Sequence, residues 1–237
     1  MSGLRGGIIA AGHGERLKAG GWQGPKPLLP IAGRPLIGHA VDNLVRAGVS
    51  RIDVIFNEES SACAEWLRIN KGTLAIDIIL RSTPSSFESF RLIAERLRGA
   101  PAIVTTVDGI MDKDALIPVA EALASSDELV LGVTDHVDDE KPLWISRDEK
   151  TGRVIAIGEE RGNCVSAGVY GLPAGFTLPV AAKYARLRDF LVSAVESGSP
   201  VSTVMLTGVI DVDRLSDAAA AERRYRAVAP VRSGQGR

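Results

Sequence analysis

The sequence has no long apolar run, few aromatic residues and almost no net charge. No stretch of the 237 residues approaches the 18 apolar positions of a membrane-spanning helix. Aromatic residues make up 5% of the chain, too few to suggest the stacking platforms that bind single-stranded nucleic acid. The net charge of −1 provides no overall field for a nucleic acid or an anionic membrane. We therefore expect neither as a partner, and any recognition of phosphate must be local.

Cysteines are also scarce. Cys63 and Cys164 lie far apart, form no C-x-x-C pair and do not resemble the disulfide framework of a small secreted domain. The first residues are glycine-rich and are soon followed by the charged Arg16 and Lys18, unlike a secretory signal. We expect reduced thiols and a cytoplasmic protein with one sizeable core.

Hydrophobic periodicity predicts strands that alternate with helices along the first half of the chain. The predicted strands cover 6–10, 52–56, 74–80, 102–106 and 129–133, and the predicted helices cover 35–48, 60–68, 86–97 and 114–125. Such alternation is typical of an α/β fold with a mostly parallel sheet and helices on both faces.

The pattern changes after residue 135. Short candidate strands at 143–146, 154–157 and 166–170 predict a small β-rich lobe. A helix over 183–196, a strand over 201–206 and a helix over 216–227 follow. We expect one domain over 1–229 and a flexible tail over 230–237.

The loop after the first strand carries a candidate phosphate site, because ligands of open parallel sheets bind beyond the carboxyl ends of the strands. Residues 10–17 read Ala-Ala-Gly-His-Gly-Glu-Arg-Leu, and residues 24–28 read Gly-Pro-Lys-Pro-Leu. Glycines let backbone N–H groups approach phosphate oxygens. Arg16 and Lys26 add a forked guanidinium and a compact ammonium.

Three alternative interpretations of this loop are weaker. A dinucleotide-binding fingerprint needs a third glycine where Leu17 stands, although an oxidoreductase of that kind remains a distant alternative. A Walker A loop needs a glycine-lysine-serine or glycine-lysine-threonine ending, which is absent. A plain surface loop would not explain why Lys26 lies in a stiff segment between Pro25 and Pro27.

Two aspartates are candidate metal ligands. Asp108 follows the strand predicted over 102–106, and Asp211 follows the apolar pair 209–210, with Asp213 two residues later. Mg²⁺ prefers one or two protein carboxylates together with substrate phosphates, so Asp108 and Asp211 would suffice. Whether Asp213 shares the ion is open, and each aspartate alone could be a turn or cap residue.

A long stretch resembles the signature of nucleotide-sugar pyrophosphorylases and related nucleotidyltransferases, the MobA-like NTP transferase group. It includes Gly-Ile-Ile-Ala-Ala-Gly-His-Gly-Glu-Arg-Leu at 7–17 and Pro-Lys-Pro-Leu-Leu-Pro-Ile-Ala-Gly-Arg-Pro-Leu-Ile at 25–37. Shorter segments at 107–109, 166–170 and 211–213 resemble the metal-ligand, sugar-side and closing aspartate motifs of that family. The resemblance implies a Rossmann-like nucleotidyltransferase fold.

The resemblance also implies roles for individual residues. Arg16 would hold the departing pyrophosphate, Lys26 the reacting phosphates, and Asp108 with Asp211 a Mg²⁺ cofactor. The nucleotide would contact two groups of residues. The backbone of Ala10, Ala11, Gly12, His13 and Gly14 would hold the nucleotide and its triphosphate, and Ser85, Ser86 and Glu88 would help recognise the base and ribose. The acceptor would contact Glu159, Ala167 and Gly168.

Two segments depart from the family pattern. The segment 85–89 reads Ser-Ser-Phe-Glu-Ser in place of the frequent glycine-threonine-alanine, which leaves the base open. Glu159-Glu160-Arg161 lacks the lysine of the family's glutamate-lysine-proline motif, which leaves the acceptor open.

These residues predict a Mg²⁺-dependent enzyme that transfers a nucleoside monophosphate from a nucleoside triphosphate to a phosphorylated small acceptor and releases pyrophosphate. A phosphate monoester is already anionic at pH 7, so it needs no protein base to attack. The expected acceptor is a sugar 1-phosphate or a polyol phosphate.

Alternatives to this function remain. One is a cytidylyltransferase for inositol phosphate or phosphocholine, the latter drawn by the acidic segment 135–140 and Trp144. Another is a catalytically silent nucleotide-binding module. His136, within the same acidic segment, is a weak candidate metal ligand.

Overall fold

A computed structural model describes residues 3–137, 140–158, 161–178 and 183–228. In chain order the elements are β1 (Arg5–Ala10), α1 (Glu15–Ala19), a 3-10 turn (Lys26–Leu28), β2 (Pro30–Ile31), β3 (Arg34–Pro35), α2 (Leu36–Arg46), β4 (Arg51–Phe56), α3 (Ser61–Asn70), β5 (Ala75–Leu80), α4 (Ser86–Leu97), β6 (Ala102–Thr106), β7 (Gly109–Ile110), α5 (Ile117–Ser125), β8 (Leu129–Thr134), β9 (Trp144–Arg147), β10 (Val154–Gly158), β11 (Cys164–Leu172), α6 (Leu187–Glu196), β12 (Val201–Met205), β13 (Ile210–Asp211) and α7 (Leu215–Val228). The predicted tail 230–237 and Glu159 lie outside the described residues.

Nine strands form one mixed sheet around a parallel block. β5, β4, β1 and β6 are neighbours in that order and run parallel, with Ile8 of β1 opposite Val54 and Thr105. β11 runs antiparallel between β6 and β8, and β12 lies parallel to β8. The strands predicted as a small β-rich lobe are present, and β9 and β10 extend the main sheet beyond β11. The predicted α/β fold class is confirmed.

Two apolar clusters cover the two faces of the sheet. One joins the sheet to α2, α3, α5 and α7, and the other joins it to α4 and α6. This layered packing brings the carboxyl ends of β1 and β6 side by side, where the Val107 N–H donates to the carbonyl of Ile9 at 3.1 Å. None of the helices that the structure describes is long and apolar enough to cross a bilayer.

Two predicted helices begin later than the sequence pattern indicates. The helix predicted over 114–125 starts at Ile117, because residues 112–116 form turns and Pro118 suits the first helical turn. The helix predicted over 183–196 starts at Leu187, because Asp189 accepts the Arg186 backbone N–H at 2.9 Å and fixes the helix start there.

The hairpin of β2 and β3, which follows Lys26, is fastened to the last helix. Its two-residue turn places Ala32 at φ 51° and Gly33 at φ 79°, the left-handed pair expected of a type I′ turn. The Glu222 carboxylate on α7 accepts the Ala32 N–H at 2.5 Å. Tyr225 on the same helix hydrogen-bonds the buried His39 of α2 at 2.9 Å. Helix α7 thus fixes the segment that leaves the candidate phosphate site.

The turn generates a stability prediction. Ala32→Gly should raise the free energy of unfolding by about 0.5–1 kcal/mol, because relief of left-handed strain exceeds the added entropy of the unfolded chain. Gly33→Ala is the matched control and should lower the free energy of unfolding by about 1–2 kcal/mol. The added Cβ would contact no other atom, but the left-handed backbone conformation would be strained in alanine. Urea denaturation of both variants checks this, and destabilisation by Ala32→Gly would contradict it.

Candidate active site

The two halves of the first sequence motif touch one another. Residues 10–14 leave the carboxyl end of β1, and Gly14 adopts φ 64° at the start of α1. A Cβ atom at Gly14 would lie 2.9 Å from the Cβ of Lys26, so only glycine fits there without displacement. The Asn57 amide donates to the carbonyl of Ala11 at 3.4 Å and anchors the other end of the loop. The structure therefore places the glycine loop directly against Lys26.

Lys26 is held between two carboxylates. Its Nζ lies 2.7 Å from Asp108 Oδ2 and 2.6 Å from Asp213 Oδ1, and the side chain is only 7% exposed. Asp213 also binds Arg16, whose Nη1 lies 2.7 Å from Oδ2. The prolines at 25 and 27 keep Lys26 in a short 3-10 turn. Two cations and two acids from three distant segments thus form one network.

The charges in this network stabilise one another. Burial disfavours the charged form of Lys26, yet the carboxylates of Asp108 and Asp213 hold its pKa above the ordinary value. Burial likewise opposes ionisation of Asp108, but the Lys26 ammonium keeps the pKa of that carboxyl below its usual range. Both groups are therefore charged at neutral pH.

The short ribbon of β7 and β13 brings the predicted metal ligands together. Asp211 pairs with Gly109 across the ribbon, and the Val212 N–H donates to the carbonyl of Asp108 at 3.1 Å. Carboxylate oxygens of Asp108, Asp211 and Asp213 all lie within 4.8 Å of one another. Three clustered carboxylates beside the candidate phosphate loop are a donor set that suits Mg²⁺.

Asp213 is the residue whose importance the sequence did not establish. Its two oxygens bind Lys26 and Arg16, while its backbone N–H donates to the Asp217 carboxylate at 3.0 Å. Asp217 also accepts the Arg214 N–H at 2.7 Å and so ties this segment to the start of α7. The sequence signal was the Asp-Val-Asp spacing, which does not reveal which aspartate meets Lys26.

A cavity of about 380 Å³ opens beside Asp108 and Asp211. We call it the acceptor-side cavity because Ala167 and Gly168, two of the residues expected to contact the acceptor, line it. Their contact with an acceptor stays a prediction. Gly168 has φ 69° at an irregularity of β11, and a Cβ there would lie 2.4 Å from Thr106 Oγ1. The site therefore requires glycine at this position.

The residues expected to recognise the base have structural partners. The Ser85 hydroxyl accepts the Glu88 N–H at 3.1 Å and caps α4, while the Glu88 carboxylate pairs with Arg91 at 2.6 Å. The Ser86 hydroxyl accepts the Leu187 N–H at 3.0 Å, and Ser86 also lines the cavity. Contact between these three residues and a nucleotide stays a prediction.

Glu140 in the acidic segment after β8 and the ring of Trp144 each have an arginine as a neighbour. Glu140 pairs with Arg214, and the guanidinium of Arg161 lies 5.9 Å from the centre of the Trp144 ring. Asp138 and Asp139 lie outside the described residues. His136 lines the cavity. Among the described residues, the cluster that could hold a metal ion consists of Asp108, Asp211 and Asp213 and does not include His136.

Comparison with known proteins agrees with this geometry. Residues 6–165 match the family model described as the MobA-like NTP transferase domain. The chain belongs to this family. It is 26% identical over 153 residues to the CMP-5'-(3-aminopropyl)phosphonate synthase of Streptomyces rubellomurinus, and 28% identical over 162 residues to the glucose-1-phosphate thymidylyltransferase of an Actinoplanes species. These alignments cover 56% and 66% of this chain, but only 24% and 52% of the two relatives.

Solved structures share the fold over nearly the whole chain. A putative glucose-1-phosphate thymidylyltransferase from Bacillus anthracis superposes with a TM-score of 0.81 at 18% identity, covering 95% of this chain and 96% of that one. The inositol-1-phosphate CTP transferase from T. maritima gives 0.76 at 20% identity, with coverages of 96% and 98%. The Rossmann-like nucleotidyltransferase fold expected of this MobA-like protein is confirmed.

The depressed pKa of Asp108 generates a prediction about acid stability. A carboxyl that is more acidic in the folded state stabilises the fold above its ordinary pKa, and this stabilisation is lost as the pH falls through the folded-state value. The free energy of unfolding should therefore fall less steeply between about pH 6 and pH 3 in Asp108→Asn than in the unmodified chain. Urea denaturation across this range measures the slopes.

The control is Asp114→Asn, because Asp114 is exposed and its ion-pair partner among the described residues is the exposed Arg46. Its stability should follow the unmodified chain over the same range. Equal slopes for Asp108→Asn and the unmodified chain would contradict the buried ion pair.

Proposed function

We propose that this chain transfers a nucleoside monophosphate from a nucleoside triphosphate to a phosphorylated small acceptor, with Mg²⁺ as cofactor and pyrophosphate as the leaving group. The observation that carries the proposal is the buried Lys26, bound to two of three clustered aspartates and pressed against a glycine loop. Cations and carboxylates at one sheet edge are complementary to a metal-bound polyphosphate.

The chain needs no acid–base residue for this reaction. A phosphate monoester oxygen attacks the α-phosphorus, a new P–O bond forms, and the bond from the α-phosphorus to the bridging oxygen breaks. Lys26 and Arg16 would position the phosphates and neutralise their charge, which is where catalysis of such transfers originates. Asp108, Asp211 and Asp213 would hold Mg²⁺, which supplies further charge neutralisation when bound.

The names of the relatives support the reaction type but leave the base and the acceptor open. One relative is named for a CMP-phosphonate product, another for thymidylyl transfer to glucose 1-phosphate, and a third, 28% identical over 181 residues, for guanylyl transfer to mannose 1-phosphate. The cavity beside the aspartates has the volume of a small-molecule site. We propose a sugar phosphate or polyol phosphate as the acceptor.

A binding screen tests the nucleotide part of the proposal. The melting temperature of the full chain is measured with CTP, UTP, GTP, ATP and dTTP, each with and without Mg²⁺, because a ligand that binds only the folded state stabilises it. A selective shift that requires Mg²⁺ is expected and would identify the base. Nucleotide binding without pyrophosphate release in the presence of any acceptor would instead support a silent nucleotide-binding module.

Arg16 offers a matched test of catalysis. Arg16→Gln should lower kcat/KM for pyrophosphate release by about 10- to 100-fold, the effect of losing a charged hydrogen bond to the triphosphate. Lys18→Gln on the same helix is the control, since Lys18 is exposed and, in the part of the chain that the structure describes, its ion-pair partner is Glu15. Normal turnover in Arg16→Gln, or an equal loss in the control, would refute the proposed site.

A further inference from the structure

The acceptor-side cavity is lined by a guanidinium that, among the described residues, has a main-chain carbonyl as its hydrogen-bond partner. Arg188, in the first turn of α6, lines this cavity together with Asp108 and Asp211. Its Nη2 donates to the main-chain carbonyl of Lys141 at 2.9 Å. In the described part of the chain, no carboxylate lies within ion-pair distance of Arg188.

Neighbouring arginines show the contrast. Arg186, which also lines the cavity, is paired with Asp189 at 3.0 Å, and Arg214 is paired with Glu140. Each of these guanidinium groups has a carboxylate to balance its charge. The half-buried Arg188 has only a neutral carbonyl among the described residues.

Arg188 shares one small space with the acidic end of the site. The charges of Asp108, Asp211 and Arg188 all act on the buried hydroxyl of Tyr170, which lines the same cavity. The lining also includes the hydroxyl groups of Thr106, Thr134 and Ser166, together with Arg186 and His136. Arg188 is therefore a positive group on the acceptor side of the site, apart from Lys26 and Arg16, the proposed phosphate ligands.

The Arg188 guanidinium constrains the chemistry of the acceptor. A neutral sugar or polyol would cover the guanidinium with hydroxyl groups and remove water from it, at a cost in solvation. A carboxylate would meet the planar fork of an arginine with two parallel, charge-assisted hydrogen bonds. The acceptor phosphate does not need this group, because it reacts beside Lys26 and the aspartates.

We propose that the acceptor carries a carboxylate in addition to its reacting phosphate, and that Arg188 binds this carboxylate. A volume of about 380 Å³ accommodates a phosphorylated acid the size of a sugar phosphate. The proposal relies on the proposed function for the place of the phosphate, but its test measures binding and does not require turnover.

Calorimetric titrations test the proposed carboxylate contact. Two pairs of compounds are titrated into the full chain with Mg²⁺ present throughout. Glucuronic acid 1-phosphate is compared with glucose 1-phosphate, and 3-phosphoglycerate with glycerol 3-phosphate, so that the members of each pair differ at one carbon. In at least one pair the acid should bind about 10-fold or more tightly than its neutral analogue. Arg188→Gln should abolish this preference and change the Kd of the neutral compound by less than about threefold.

Two further variants separate charge, geometry and folding. Arg188→Lys keeps the charge without the fork and should restore only part of the preference. Arg68→Gln, at an exposed position on α3 paired with Glu65, should bind all four compounds like the unmodified chain. Melting temperatures of the variants show whether each is folded.

The outcomes distinguish this inference from the proposed function. Equal or tighter binding of the neutral compounds in both pairs, or no binding of either acid, would overturn it. Equal weakening of both members of a pair by Arg188→Gln would also overturn it, since the guanidinium would then hold the shared phosphate. An Arg188-dependent preference for acids without pyrophosphate release would retain the inference and refute the transferase. Pyrophosphate release with neutral acceptors alone would support the transferase and overturn the inference about the carboxylate.

Discussion

The buried ammonium of Lys26 is the constraint on which the site depends. A buried charge is costly unless it is paired and hydrogen-bonded, and here the partners come from segments more than 80 and 180 residues away. To satisfy it, the loop after β1, the loop after β6 and the segment before α7 must meet at one point. Gly14, the flanking prolines and the ribbon of β7 and β13 are the local features that allow this meeting.

The same pairing would allow the proposed site to bind both a metal and a polyphosphate. The carboxylates of Asp108 and Asp213 and the cations of Lys26 and Arg16 balance each other within the protein. A metal-bound triphosphate carries both kinds of charge, so it can exchange partners with the cluster while keeping every charge paired. Helix α7 supports this arrangement from behind, because Asp217 and Glu222 hold the aspartate segment and the hairpin that follows Lys26.

Local sequence signals predicted much of the fold, and long-range contacts account for what they missed. The helix over 86–97 and the strand over 102–106 match the structure because their periodicity and caps are local. The insertion of β11 antiparallel between β6 and β8 depends on pairing between distant strands, which no local pattern encodes. Likewise, Asp108 and Asp211 could be predicted as candidate metal ligands because each follows an apolar strand segment. The contact of Asp213 with Lys26 and the position of Arg188 in the cavity follow only from packing.

The most direct test of the central claim locates a metal and a phosphate in the same crystal. Pyrophosphate with Mn²⁺ in place of Mg²⁺ serves as the probe, since pyrophosphate is the shared product whichever base is used, and Mn²⁺ is visible by its anomalous scattering. The account predicts an anomalous peak bound by Asp108 and Asp211 or Asp213, with pyrophosphate against Arg16 and the glycine loop. A peak elsewhere, with Lys26 still bound to both carboxylates, would contradict it.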